Sequence, residues 1–70
     1  MPIAFAPSNT ELTVRSVLAE EKTKKHLREM GIAAGGKITI LSSSGGSVIV
    51  AVKEGRLCLD KSVANKIIVA

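Results

Sequence analysis

After Gly35-Gly36 the apolar residues recur at every second position, and they keep that period almost to the end of the chain. Ile38 and Ile40 alternate with Lys37 and Thr39, Val48, Val50 and Val52 with Ile49 and Ala51, and Leu57 and Leu59 flank Cys58. Successive side chains of an extended chain point to opposite faces, so a period of two is the signature of strands. Strands are therefore expected over 37–42, 48–53, 56–59 and 67–70. The stretch SSSGGS ending at Ser47 reads as the first turn, and Glu54-Gly55 as a tight two-residue turn. Asp60 can cap a short helical turn over 61–66.

Residues 19–30 follow the helical period instead. Thr23, Leu27 and Met30 form one stripe, with Ala19 and His26 at its edges. Glu20 and Glu21 stand at the positive end of the helix dipole, with Lys24, Lys25 and Arg28 further along. Glu20 with Lys24, and Glu21 with Lys25, are pairs four apart in the favourable order. Gly31 is placed to end the helix in a left-handed conformation, and Ile32 to fold back onto the stripe. Ahead of the helix, 11–18 reads as a strand, with Leu12 and Val14 alternating against Thr13 and Arg15. The alternation slips at Ser16-Val17, the mark of a bulge. Residues 1–8 hold Pro2 and Pro7 around Ile3 and Phe5. Proline withholds backbone donors, so this arm is expected along an edge or over the core, with Phe5 as a core plug.

Five short strands within 70 residues do not bury two separate sheets. They are expected to curl into one small barrel, a mainly β fold, in a single domain over 1–70. One helix lies between the first and second strands, and a short helical turn precedes the last. A chain this small buries only about 60% of its unfolded surface, which leaves no room for a deep catalytic cleft. Phe5 is the single aromatic residue, so aliphatic side chains must fill the core. One cysteine excludes a disulfide framework and points to a reducing compartment. The first ten residues carry no basic residue before their apolar patch, unlike a signal peptide. No apolar run approaches the roughly 18 residues of a membrane span. A cytoplasmic protein without direct membrane insertion is expected.

The segment Leu27-Arg28-Glu29-Met30-Gly31-Ile32, followed by Gly35, resembles the L-x-x-M-G-hydrophobic … P-G signature of the FeoA family. The tail is similar too, with Leu57 and Leu59, then Ala64, then Ile67 and Val69, and Met1-Pro2-Ile3 looks like the arm of standalone members. The combination carries the resemblance, over nearly the whole chain. It implies a five-stranded SH3-like barrel. It also implies a small cytoplasmic accessory of bacterial ferrous iron uptake, associated with the membrane through FeoB, the permease whose cytoplasmic part carries a G-protein domain. The same barrel occurs in metal-dependent repressors of the diphtheria-toxin-repressor type, so a standalone regulatory module is the alternative. The sequence departs from the family pattern at Ala34, in place of proline, and in the SSSGGS hairpin, which lacks a Gly-Asp-Pro-like turn. Asp60 and Val63 stand where many members have arginine and glutamate. These departures leave the fold and alter any partner surface built on them.

Ferrous iron commonly takes imidazole and carboxylate ligands gathered on one face. His26 is the one histidine, and with Glu29 and Met30 it forms a weak, partly soft set, better read as a helix-edge histidine. Cys58 has no second cysteine at the spacing of a zinc site. No metal or cofactor site is expected within one chain. No nucleophile, base and orienting group stand together, and Gly35-Gly36-Lys37 lacks the rest of a phosphate loop. The chain is expected not to be an enzyme.

A net charge of +4 raises the question of an anionic partner. Small barrels bind nucleic acid through aromatic platforms and basic grooves. Here Glu20, Glu21 and Glu29 interleave with the helix cations and Phe5 is the only ring, so a weak nucleic-acid-binding barrel is the rival reading. What favours a protein partner is the apolar surplus: Ile49, Ala51, Leu41, Cys58 and Ile68 all stand opposite core-facing positions. The arm and helix could cover that surface, or a second copy in a homodimer, or another protein. The expected docking residues are Lys24, Lys25 and Arg28 of the helix with Ile49 and Ala51 of the strand, against the cytoplasmic part of a FeoB-like permease.

Overall fold

The period-two half of the chain folds into an antiparallel meander, and the remainder wraps back onto it. In the computed structural model, which describes residues 1–53 and 55–70, β1 (Glu11–Val17) leads through α1 (Glu21–Glu29) to β2 (Lys37–Ser44). β3 (Ser47–Val52), β4 (Gly55–Asp60), the short helix α2 (Lys61–Ala64) and β5 (Ile67–Val69) complete it. Among the described residues the five strands form one sheet in the order β4-β3-β2-β1-β5. β4 and β5 stand at the two ends of that order. The order of strands and helices is the expected one.

Each strand turns one face inward. Leu12 and Val14, Ile38 and Ile40, Val48 and Val50, Leu59, and Ile67 and Val69 are buried, joined by Ile3, Leu27, Ile32 and Ala64. The core is wholly aliphatic, and no polar or charged residue is buried among the described residues. Val52, Leu57 and Met30 are half-buried against it.

β1 serves two partners. Its first half pairs with β2 (Leu12 with Ile38), and its second half with β5 (Val14 with Val69, Ser16 with Ile68). The register shifts between Val14 and Ser16, so the bulge falls at Arg15, one residue ahead of the expected slip. A bulge bends its strand and increases its twist, which lets one strand pass from one neighbour to another. A second shift lies between Ile40 and Ser42.

Two turn expectations need correction. β2 runs to Ser44, with Ser43 opposite Val48 and Ser44 opposite Ser47, so only Gly45-Gly46 forms the turn. Gly45 has φ 59° at the first central position, as a two-residue type II′ connection requires. That turn sets the register, and register overrides the weak strand preference of serine. At the other hairpin Gly55 pairs with Val52 and belongs to β4, not to the turn. The Glu54 half of that expectation lies outside the described residues.

α1 begins two residues later than the pattern suggests, because Glu20 is already extended (φ −62°, ψ 156°). The expected pairs four apart are replaced by Lys24 with Glu21, three apart, at 3.6 Å. The C-terminus is as expected. Gly31 has φ 98° and donates its N–H to the Arg28 carbonyl at 3.0 Å, while the Ile32 N–H reaches the Leu27 carbonyl at 2.8 Å. These two bonds are the Schellman arrangement, with buried Ile32 beside buried Leu27.

The arm does lie along an edge: Pro2 bridges Ile68, and the Val69 N–H donates to the Met1 carbonyl at 2.8 Å. Its plug is Ile3, 1% exposed, whereas Phe5 is 76% exposed, which overturns the expectation for Phe5. Both residues sit in one 3₁₀ turn, Ile3–Phe5. With three residues per turn, side chains two apart point about 120° away from each other, so Phe5 turns outward when Ile3 faces inward.

Asp60 occupies the N-cap of α2 but makes no side-chain cap bond, contrary to expectation. The Lys61 N–H, at the first helical position, donates to the Gly46 carbonyl at 2.9 Å. Asp60→Ala is therefore expected to change stability by less than about 0.5 kcal/mol, against about 1 for an ordinary cap. Urea unfolding checks this.

Candidate functional site

Of the five expected docking residues, the structure brings together two pairs. Lys24 and Arg28 stand one turn apart on α1 and line the same groove. Ile49 and Ala51 share the outer face of β3, where Ile49 is 39% exposed between Ser42 and Cys58. Ala51 lies between Thr39 and Arg56, and it lines a different groove, with Glu11, Lys37 and Lys53. Lys25 is exposed on α1, one position round from Lys24. The helix cations and the strand apolar pair thus belong to separate surfaces.

The groove that holds Lys24 and Arg28 has a volume of about 500 Å³. It runs between the second half of β1, α1 and the loop 32–34 that leads from the helix. Val17, Leu18, Ile32, Ala33 and Ala34 give it an apolar lining, and Leu18 is 66% exposed there. Among the described residues, its charged lining is Arg15, Lys24 and Arg28, all cations. Arg15 is the bulge residue of β1, and bulges commonly re-aim a side chain in this way. Arg15 and Leu18 were not among the expected docking residues. The sequence signals were the alternation that turns Arg15 away from Leu12 and Val14 and the slip at Ser16-Val17, neither of which shows what those side chains then face.

A third groove, of about 290 Å³, separates α1 from β4 and is lined by His26, Met30, Cys58 and Asp60 among others. Among the described residues, no three His, Cys, Asp or Glu side chains are grouped so as to hold a metal ion. Cys58 is an exposed free thiol on β4, opposite Ile49. No helix among the described residues is long and apolar enough to cross a membrane.

The family model that matches this chain is the FeoA domain, over residues 1–70. A Fe(2+) transport protein A of Methanocaldococcus jannaschii is 31% identical over 68 residues, covering 97% of this chain and 83% of that protein. Among solved structures, the FeoA of Stenotrophomonas maltophilia, a prokaryotic SH3 domain protein complexed with zinc, superposes with a TM-score of 0.83 at 26% identity. That match covers 100% of this chain and 89% of the other. A manganese-dependent transcriptional repressor superposes with a TM-score of 0.85 at 17% identity, over 96% of this chain and 39% of its own. The last is a likeness of fold alone. The five-stranded sheet described above is an SH3-like fold.

Proposed function

The chain belongs to the FeoA family of ferrous iron transport accessories, and from that premise we propose that it docks on the cytoplasmic part of a FeoB-like permease. It acts there by protein contact, as neither an enzyme nor a metal carrier. The observation that carries the docking reading is the open groove beside α1, an exposed surface both apolar and cationic. Exposed apolar surface of this kind commonly marks an interaction site. Lys25 stands beside this groove on α1, and Ile49 and Ala51 offer the same partner a second, separate surface on β3.

Titrating the isotope-labelled protein with the permease's soluble G-protein domain tests this. Localised amide shifts that persist at high salt are the expected result. No response to that domain, together with salt-sensitive shifts at Lys24, Lys25 and Arg28 on adding DNA, would move the protein to the nucleic-acid-binding class. Sedimentation of the unmixed protein distinguishes a homodimer covering the same surface.

A further inference from the structure

We propose that the groove between β1 and α1 receives a short segment of the partner in which carboxylates alternate with aliphatic side chains. The proposal rests on the docking reading for the partner's identity, but not for the chemistry that recognises it. The segment's carboxylates meet Arg15, Lys24 and Arg28, and its aliphatic side chains meet Val17, Leu18 and Ala34.

Charge singles out this groove. The groove of about 510 Å³ that Ala51 lines has Glu11 beside its lysines, and the Lys37 ammonium there donates to the Thr13 hydroxyl at 2.9 Å. Among the described residues, the groove beside α1 has three cations and no carboxylate in its lining. Lys24 leans on Glu21 at 3.6 Å, and Arg15 and Arg28 join no salt bridge among the described residues. Like charges around one concavity repel until an anion enters, and complementary potentials of this kind govern partner choice and approach rate. Arginine further favours carboxylates by its forked donors.

The apolar lining narrows the anion. A free phosphate or a nucleic-acid backbone has no use for the exposed Leu18 and half-buried Val17, and the lining contains no ring on which a base could stack. A bilayer receives protruding side chains, whereas this surface is concave. A peptide with both kinds of side chain satisfies both halves of the lining.

The probe is a short peptide alternating leucine and glutamate, titrated into the labelled protein. Its controls are a leucine–lysine peptide, a glutamate–serine peptide, a DNA oligomer and anionic phosphatidylglycerol vesicles. The expected result is shifts of the amides at 15–18, 24, 28 and 33–34 with the leucine–glutamate peptide alone. The double variant Arg15→Glu, Arg28→Glu is expected to weaken that binding by about tenfold or more while keeping the wild-type pattern of dispersed signals. No shifts with the leucine–glutamate peptide, or equal shifts with glutamate–serine, DNA or vesicles, overturn the inference. If the permease domain binds wild type and double variant alike, the groove inference falls and docking stands. If the peptide binds in the groove and the permease domain binds nowhere, the groove stands and the assigned partner falls.

Discussion

Ile3→Ala is expected to destabilise the protein by about 2–5 kcal/mol, and Phe5→Ala by less than about 0.5 kcal/mol. Residue size alone argues for the opposite order. Ile3 is fully buried, and the turn that carries it packs against α2 and β5, so truncation leaves a cavity where the arm meets the sheet. Phe5 projects from the same turn into solvent, and its loss removes little buried area. A 70-residue domain has a total stability of about 3–10 kcal/mol, so the Ile3 variant loses a large fraction of it. Urea unfolding of the two variants measures the difference. Equal losses, or a larger loss for Phe5, would mean that the arm does not seat on Ile3.

The misreading of Phe5 shows where local pattern stops being informative. Two prolines implied an extended arm, and Pro2 does pair with Ile68 as an edge element. Which of two apolar residues in a tight turn faces inward depends on where the turn meets α2, and α2 lies at the far end of the chain. The meander was legible for the opposite reason. Its strands are neighbours in sequence, its turns carry glycine, and the parity of Val48, Val50 and Val52 is enough to leave Ile49 outside. Even there, Ser43 and Ser44 read as part of the turn, whereas the ladder carries them up to Gly45.

The candidate site divides along the same line. Lys24 and Arg28 are four apart on one helix, so their shared face follows from spacing alone. Alternation puts Arg15 on the outer face of β1, but its place beside Lys24 and Arg28 follows from how β1 sits against α1 as it changes partners from β2 to β5, a long-range arrangement. Parity placed Ile68 outside as well, yet the Pro2 bridge leaves it half-buried. Sequence periodicity thus identifies which side chains leave the core, and the topology decides which of them stay exposed.

Ile32→Ala is expected to cost about 2–5 kcal/mol and to loosen α1 before the sheet gives way. Leu27 is the only buried residue of α1, so the helix is held on the sheet chiefly by that side chain and by the clasp that follows it. The clasp has two parts: Gly31 supplies the left-handed φ of 98°, and Ile32 turns back to bond the Leu27 carbonyl and fill the core beside it. Removing the Ile32 side chain takes away half of that anchor and opens a cavity under the helix. Gly31→Ala removes no core side chain and puts an alanine at a left-handed φ, so a smaller cost of about 1–2 kcal/mol is expected. The two variants also differ in reach. Ile32 lines the groove together with Lys24 and Arg28, so its loss is expected to weaken the proposed docking even in molecules that remain folded. Amide hydrogen exchange separates these effects, with the α1 amides of the Ile32 variant expected to exchange faster than those of β2 and β3. If α1 and the sheet instead lose protection together, the helix is no separate unit. The cations it carries would then be held as firmly as the core itself.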